Sequence, residues 1–235
     1  MIQKILVDKD GRWYFWRDGD FCTKDGVIKA REIKNKIVKS HLGREFRVFD
    51  AQFADSIKKI KRGPAIILPK DIGAIVAYTG LGKDSVALDA GTGCGVLAIC
   101  LARICKKVIS YEIDKRWFKL AKENFRFLNI KNVELKNKDV AVAKEKNLDT
   151  LILDLPEPWK CLKCTKCLKS GGFFVCYLPN ISQVAKLVKC ANKDKELIYE
   201  RTIELIERKW HIDKRTRPES RMIGHTGFLC FFRKT

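Results

Sequence analysis

No apolar stretch in this 235-residue sequence approaches the length of a membrane span, which excludes a bilayer-embedded helical protein. The first residues, MIQKILVDKDGRW, lack a long apolar core followed by small residues, so no secretion signal is read there. There is no internal repeat and no low-complexity tract. Histidine is scarce, at three residues, and His41 and His211 stand in no chemical pattern. Acidic residues are outnumbered: 28 Asp and Glu face 48 Lys and Arg, a formal charge of +20. Solubility alone does not require such an excess. It points to a polyanionic partner, nucleic acid first and a membrane surface second, with a general lysine bias as the bland alternative. Ten cysteines without a secretion signal read as reduced thiols of a cytoplasmic protein. With 46% hydrophobic residues, the chain is long enough for one large domain or one domain and a small appendage.

What is present centres on VALDAGTGCGVL, residues 86–97. Val86-Ala87-Leu88 reads as a buried strand that Asp89 ends. Gly91, Gly93 and Gly95 follow at alternate positions. Val96 to Cys105 is then apolar enough for a buried helix. Strand, glycine turn and helix form a cradle for a nucleotide-like ligand, because glycine permits the turn and the close approach. The spacing is not G-x-G-x-x-G, and no lysine follows as in a phosphate-binding loop. An acid beside the turn suits an ammonium-bearing ligand, and S-adenosylmethionine has that group. Glu112 ends the next apolar run, Val108 to Tyr111, where a carboxylate can take both ribose hydroxyls. The plainer alternative is a generic strand-to-helix turn.

Short extended runs at Ile2–Val7, Trp13–Trp16, Gly26–Ile33 and Phe46–Phe49, broken by turn signals, predict a small β-domain over residues 1–50. Residues 51–80 read as a linker with two helices, one over Ala51–Lys61 and one starting at Pro69. From 81 to 235 strands and helices alternate. Strands are expected at 86–88, 108–112, 132–136, 149–153, 172–178, 196–207 and 226–233, with helices including 159–168. That alternation predicts a mostly parallel, doubly wound sheet with its ligands at the carboxyl ends of the strands.

Four acids, Asp89, Glu112, Asp139 and Asp154, follow consecutive strands and so share one rim. Clustered acids repel, and a ligand with cationic or hydroxyl groups accounts for them. Asp139 is placed to accept from an adenine amino group. Asp154 opens Asp154-Leu155-Pro156-Glu157-Pro158-Trp159, a stiff corner that fixes a carboxylate in space. Trp159 either stacks on a base or covers the sheet edge. Cys161, Cys164 and Cys167 have a metal-like spacing, but no fourth ligand lies nearby. On an α-helix they fan apart, so they read as packing residues.

Taken together, these stretches resemble the tRNA (adenine-N1)-methyltransferase family, whose catalytic chains act on adenine 58 of the T-loop and, in archaeal members, also 57. The resemblance runs through Arg62-Gly63-Pro64 to Pro69-Lys70-Asp71, Asp89-Ala90-Gly91-Thr92-Gly93, Ser110-Tyr111-Glu112 and Leu153 to Trp159. It continues in Arg217-Pro218 and Gly224-His225-Thr226-Gly227-Phe228. It implies a Rossmann-like, seven-stranded class I S-adenosylmethionine-dependent methyltransferase domain, a tRNA partner and a homotetramer in contact through the C-terminal strands and the N-terminal domain.

The resemblance also implies roles. Gly91, Gly93, Cys94, Gly95, Val96 and Leu97 line the methionine and ribose part of the cofactor beside Asp89. Glu112 holds the ribose, Trp117 lies near the adenine, and Asp139 reads it. Asp154 meets the cofactor and the target base as the catalytic carboxylate. Lys70, Arg217, His225 and Thr226 fall on the substrate side, His225 in a structural or substrate role. The chain departs from the family where Cys94 replaces a common Ser, Leu68 an aromatic or His, and Ala65 a Gln. Two rivals are a methyltransferase of another substrate and a non-catalytic tRNA-binding partner subunit. The basic segments at 58–62 and 208–221 oppose the first, and the intact loop and carboxylate oppose the second.

Overall fold

A computed structural model describes residues 1–63, 66–212 and 216–235. Two compact units make up the chain: Met1–Lys61 with Phe127–Asn129, and Arg62–Arg126 with Ile130–Thr235. Pro64 and Ala65 of the upstream motif, and residues 213–215 of the basic C-terminal segment, lie outside the described residues.

The first unit contains β1 (Lys4–Asp8), β2 (Trp13–Trp16), β3 (Phe21–Thr23), β4 (Gly26–Ile28), β5 (Ile37–Lys39), β6 (Glu45–Asp50) and α1 (Phe53–Ile57). An antiparallel sheet runs in the order β2-β1-β6-β5, and β3 pairs with β4 as a hairpin. The sequence reading did not anticipate β3 or β5, each only three residues long. The run from Gly26 to Ile33 is strand only to Ile28, because a 3-10 turn at Ala30–Glu32 ends it. Leu6, Ile28, Ile33, Val38, Phe46 and Val48 form the core, with Tyr14, Trp16 and Phe21 packed against it. The helix expected over 51–61 forms only at Phe53–Ile57. Its last turn tightens: Lys59 N–H donates to Ser56 O at 3.0 Å and Ile60 N–H to Ile57 O at 3.4 Å, both three residues back.

The second unit contains α2 (Pro69–Thr79), β7 (Val86–Ala90), α3 (Val96–Ala102), β8 (Lys107–Tyr111), α4 (Lys115–Phe127), β9 (Val133–Lys136) and β10 (Leu148–Leu153). These are followed by β11 (Leu168–Leu178), α5 (Ile181–Ala191), β12 (Leu197–Glu204), β13 (Trp210–His211), β14 (Arg217–Pro218) and β15 (Phe228–Lys234). The seven-stranded sheet runs β12-β15-β11-β10-β7-β8-β9. All its pairings are parallel except those of β15, which runs antiparallel to β11 and β12. The chain winds outward from β7 through β8 and β9, then restarts at β10 on the other side. The order therefore reverses between β7 and β10, where a doubly wound sheet opens a crevice at its carboxyl ends. Leu88, Leu151, Leu153, Phe174, Cys176 and Phe232 are fully buried in the core around this junction.

Residues Pro158–Cys167 form a 3-10 helix and not the α-helix expected. With three residues per turn, Cys161, Cys164 and Cys167 fall along one side instead of fanning apart. Cys164 and Cys167 are buried in the sheet core, and no cluster able to hold a metal occurs among the described residues. Nor is any described helix long and apolar enough to cross a membrane.

Candidate active site at the carboxyl rim of the sheet

Register builds the site. Leu153 of β10 pairs with Ala90 of β7, and Asp154 N–H continues the ladder by donating to Ala90 O at 2.9 Å. The glycine turn after β7 and the proline corner after β10 therefore touch. Gly91 has φ +89°, and a Cβ there would lie 2.1 Å from the Asp154 carbonyl oxygen, so only glycine fits. Gly93 also has positive φ, but its missing Cβ would face open space apart from Gly91 O at 3.9 Å. Gly95 instead packs on the Phe125 ring, and Val96 and Leu97 start α3 beside it.

The acids differ in how they are held. Asp89 is 1% exposed. Its Oδ2 accepts from the Ser110 hydroxyl at 2.7 Å, and Ser110 lies 2.6 Å from the Thr92 hydroxyl. Among the described residues its Oδ1, which is buried, has no partner. Burial pushes the Asp89 carboxyl up to about 7; the Ser110 bond opposes this and the Glu112 charge adds to it. Burial likewise pushes Asp154 up to about 7, reinforced by Asp89. Glu112 accepts from Gly93 N–H on one oxygen and from Asp114 N–H on the other, each at 2.9 Å. Asp139 engages one oxygen with Ala141 N–H at 2.8 Å.

Two cavities meet at Gly91. One, of about 400 Å³, is lined by Glu112, Asp139, Tyr111, Leu155 and Pro156, among others. The other is a narrow crevice of about 20 Å³ between Asp89, Asp154, Thr92, Gly93, Cys94, Val96 and Leu97, walled by Ile66 and Ile67. Trp117 is not on the wall of the larger cavity; its ring lies where a Cβ on Gly63 would come within 2.9 Å, with the Cys94 Cβ close by. Trp159 packs on the sheet core with the Lys186 ammonium over its ring at 4.2 Å, the covering role of the two read for it.

On the far side, Lys70 donates to both Asp71 oxygens at 2.8 and 2.9 Å and to Thr226 Oγ1 at 2.7 Å. Its three protons are thus engaged within the protein, although it also borders a cleft of about 520 Å³ with Leu68, Lys209 and Arg221. His225 places Nδ1 at 2.6 Å from Glu204 Oε1 and Nε2 at 2.6 Å from Pro179 O, and the Glu204 bond raises its pKa. Two acceptors require two ring protons, so His225 sits as a cationic tie between β12 and the end of β11. Arg217 donates to Ser220 at 3.1 Å and lines neither cavity.

The chain is similar to known proteins. A family model described as tRNA methyltransferase complex GCD14 subunit matches residues 59–222. A tRNA (adenine(57)-N(1)/adenine(58)-N(1))-methyltransferase, TrmI, of Methanocaldococcus jannaschii is 32% identical over 98% of this chain and 94% of its own length. The chain belongs to the tRNA (adenine-N1)-methyltransferase family. Two solved structures, each 28% identical, share the whole fold. A Thermotoga maritima protein described as an S-adenosylmethionine-dependent O-methyltransferase covers 100% of this chain and 93% of its own, with a TM-score of 0.87. The tRNA (m1A58) methyltransferase TrmI of Aquifex aeolicus covers 99% and 96%, with a TM-score of 0.82.

The family's cofactor is S-adenosylmethionine, and the residues present fit it. Among the described residues the buried Asp89 Oδ1 lacks a cationic or donating partner, Gly93 leaves space, and the Glu112 carboxylate is held in place by two backbone N–H groups. Sequence reading placed Ser110 and Asp71 in stretches that carry the resemblance but gave neither a role. Ser110 is a fully buried hydroxyl inside an apolar strand, and that mismatch was its signal. Asp71 carried none, since its partner Thr226 lies 155 positions away.

Proposed function

We propose that the protein transfers a methyl group from S-adenosylmethionine to N1 of an adenine in the tRNA T-loop, at position 58 alone or at 57 and 58. The observation that carries this is the junction at Gly91, which sets the Asp154 carboxyl beside the glycine turn in one crevice with Asp89. When bound, the cofactor supplies an activated methyl on a sulfonium. Glu112 holds the ribose hydroxyls and Asp139 the adenine amino group, in the larger cavity. Asp89 faces the cationic end of the cofactor across the glycine turn.

Adenine N1 is itself the nucleophile, so alignment is the main task. Asp154 accepts from the target 6-amino group, offsets the positive charge that methylation puts on the ring, and takes up the proton. A carboxyl titrating near neutrality is suited to that exchange. N1 lies on the pairing edge, so the base must leave its stack to react. The excess of cations holds the tRNA backbone without reading sequence. Lys70, Thr226 and His225 shape the wall on the target side, and Arg217 contacts tRNA outside the cavities. We further propose a cytoplasmic homotetramer. Exposed Ile206, Trp210, Ile212, Met222 and Ile223 near the C-terminal strands supply apolar contact surface.

The test is incubation with methyl-labelled cofactor and unmodified tRNA, followed by identification of the product nucleoside. N1-methyladenosine at 58, or at 57 and 58, is the expected product. A methylated oxygen, or label on no tRNA nucleoside, would overturn the reading. Failure to bind S-adenosylmethionine would leave the non-catalytic partner role.

A further inference from the structure

The register of the N-terminal sheet sorts its side chains onto two faces. Ile5 lies opposite Phe15 and Phe49, Val7 opposite Trp13 and Arg47, and Arg47 opposite Ile37. These residues share one face, while Leu6, Tyr14, Phe46 and Val48 point into the core on the other. Around Ile5 the first face is covered: Ile5 is fully buried, and the Lys59 ammonium sits 4.1 Å from the Phe15 ring centroid. The remainder is open. Trp13 is 56% exposed, Ile37 55% and Phe49 41%. The Trp13 and Phe49 rings meet edge to face at 5.6 Å. Arg47 is exposed, and among the described residues no carboxylate pairs with it.

A sheet face that merely meets water is polar. This one presents an indole, a phenyl and an isoleucine around an unpaired guanidinium. We propose that it is a second RNA contact, on which an unpaired nucleotide of the substrate tRNA stacks on Trp13 while Arg47 takes an adjoining phosphate. The proposal rests on tRNA being the substrate. Trp13 and Arg47 are two strands apart, about 10 Å across the sheet. One nucleotide together with an arginine side chain bridges that distance. Charge selects RNA over a second copy of the chain. Residues 1–61 carry 15 Lys and Arg against 9 Asp and Glu, which suits a polyanion. A self-complementary contact would instead bring two copies of Arg47 together, since Lys39 and Glu45, the other charges on that face, pair with each other at 3.9 Å. Stacked aromatics interleaved with cations hold single-stranded segments without reading their sequence.

The test uses the full-length protein and an unmodified tRNA transcript, with affinity read by fluorescence anisotropy over a salt series. Trp13→Ala is expected to weaken tRNA binding about tenfold, and Trp13→Phe to restore most of it. Arg47→Ala is expected to lower affinity a few-fold and to reduce the slope of log K against log salt by about one. S-adenosylmethionine affinity, single-turnover rate at saturating tRNA and the mass by light scattering are expected to stay at wild-type values. Unchanged tRNA affinity in Trp13→Ala and Arg47→Ala overturns the proposal, as does a fall in mass, which would make the face a contact between copies. If the wild type itself neither binds nor methylates tRNA, the functional reading fails and takes this proposal with it. If the wild type binds and both variants match it, this surface alone fails.

Discussion

At the proposed adenosine end of the crevice, Glu112 has a backbone N–H on each carboxylate oxygen and Asp139 has one oxygen capping a turn. At the proposed methyl-transfer end, Asp89 has one buried oxygen without a partner among the described residues, and Asp154 adds a second carboxyl beside it. The first end is finished before any ligand arrives. The second is left electrostatically incomplete, and burial holds both its carboxyls near neutrality in their titration. The difference fits a division of labour. A ribose and an adenine are neutral and need fixed hydrogen-bond geometry. A sulfonium and a ring gaining charge need negative charge that water does not screen.

The sharpest way to break this contrast is Asp154→Ala. Methyl transfer is expected to fall by about 10²- to 10⁴-fold, the range for a lost acid-base group. Cofactor affinity at pH 8 should change only a few-fold, since the adenosine end is intact. Single-turnover transfer with labelled cofactor, paired with calorimetric binding, checks both. Transfer at the wild-type rate would remove Asp154 from the chemistry. At the other end, Glu112→Ala should do the reverse. Losing charge-assisted bonds to two ribose hydroxyls weakens cofactor binding by about 100-fold. The rate at saturating cofactor should stay within about tenfold of wild type, because the group acts in binding and not in the step. If both parameters collapse together, the two ends are not separable.

Much of this contrast was legible in the residues. Asp89 and Glu112 each close an apolar run, which is visible without coordinates, although Asp89 lies within β7 and not after it as the sequence suggested. The glycine at 91 was legible as a turn, but its reason was not: the carbonyl it must avoid belongs to Asp154, 63 positions on. The 3-10 helix at Pro158–Cys167 was misread because x-x-C spacing suits both helix types. Pro158 at its first position does not decide between them, because the N–H it lacks is unbonded at the start of either helix. Lys70, Asp71 and Thr226 form one cluster only because α2 and the segment before β15 meet in space. Local pattern has no access to such pairs, nor to the His225–Glu204 tie.

Asp89→Asn sharpens the comparison through pH. In the folded chain the Asp89 carboxyl titrates at about 7, whereas an unfolded aspartate titrates near 3.9. The folded state therefore holds more protons in that window, and stability falls as pH rises from about 4 to about 7, then levels. Neutral Asn has no such loss. The variant should melt higher than wild type at pH 8 and match it near pH 4, by up to about 4 kcal/mol if the whole shift belongs to this group. Its cofactor affinity should fall roughly tenfold, the usual exchange of stability for function. Wild-type kcat/KM should rise with pH and flatten above about 7 as the pair ionises, and the variant should lose part of that rise. Thermal melts across pH, with no ligand present, separate the stability claim from the binding claim.

The smallest effect concerns Cys94, which lines the crevice on the same side as Gly93. Its contribution is mostly backbone: its carbonyl accepts from the Asn124 side chain at 2.8 Å, and that bond fixes the turn to α4. Cys94→Ser keeps the carbonyl and nearly the shape. The new hydroxyl is buried, so it costs stability unless the ligand or the crevice satisfies it. Apo stability is expected to drop by about 1 kcal/mol or less, and cofactor affinity to stay within about threefold. A tenfold gain in affinity on the serine variant would mean that this side chain, and not the backbone, contacts the cofactor. The methyl-transfer end would then be partly finished by hydrogen bonds, like the adenosine end, and the contrast between them would narrow.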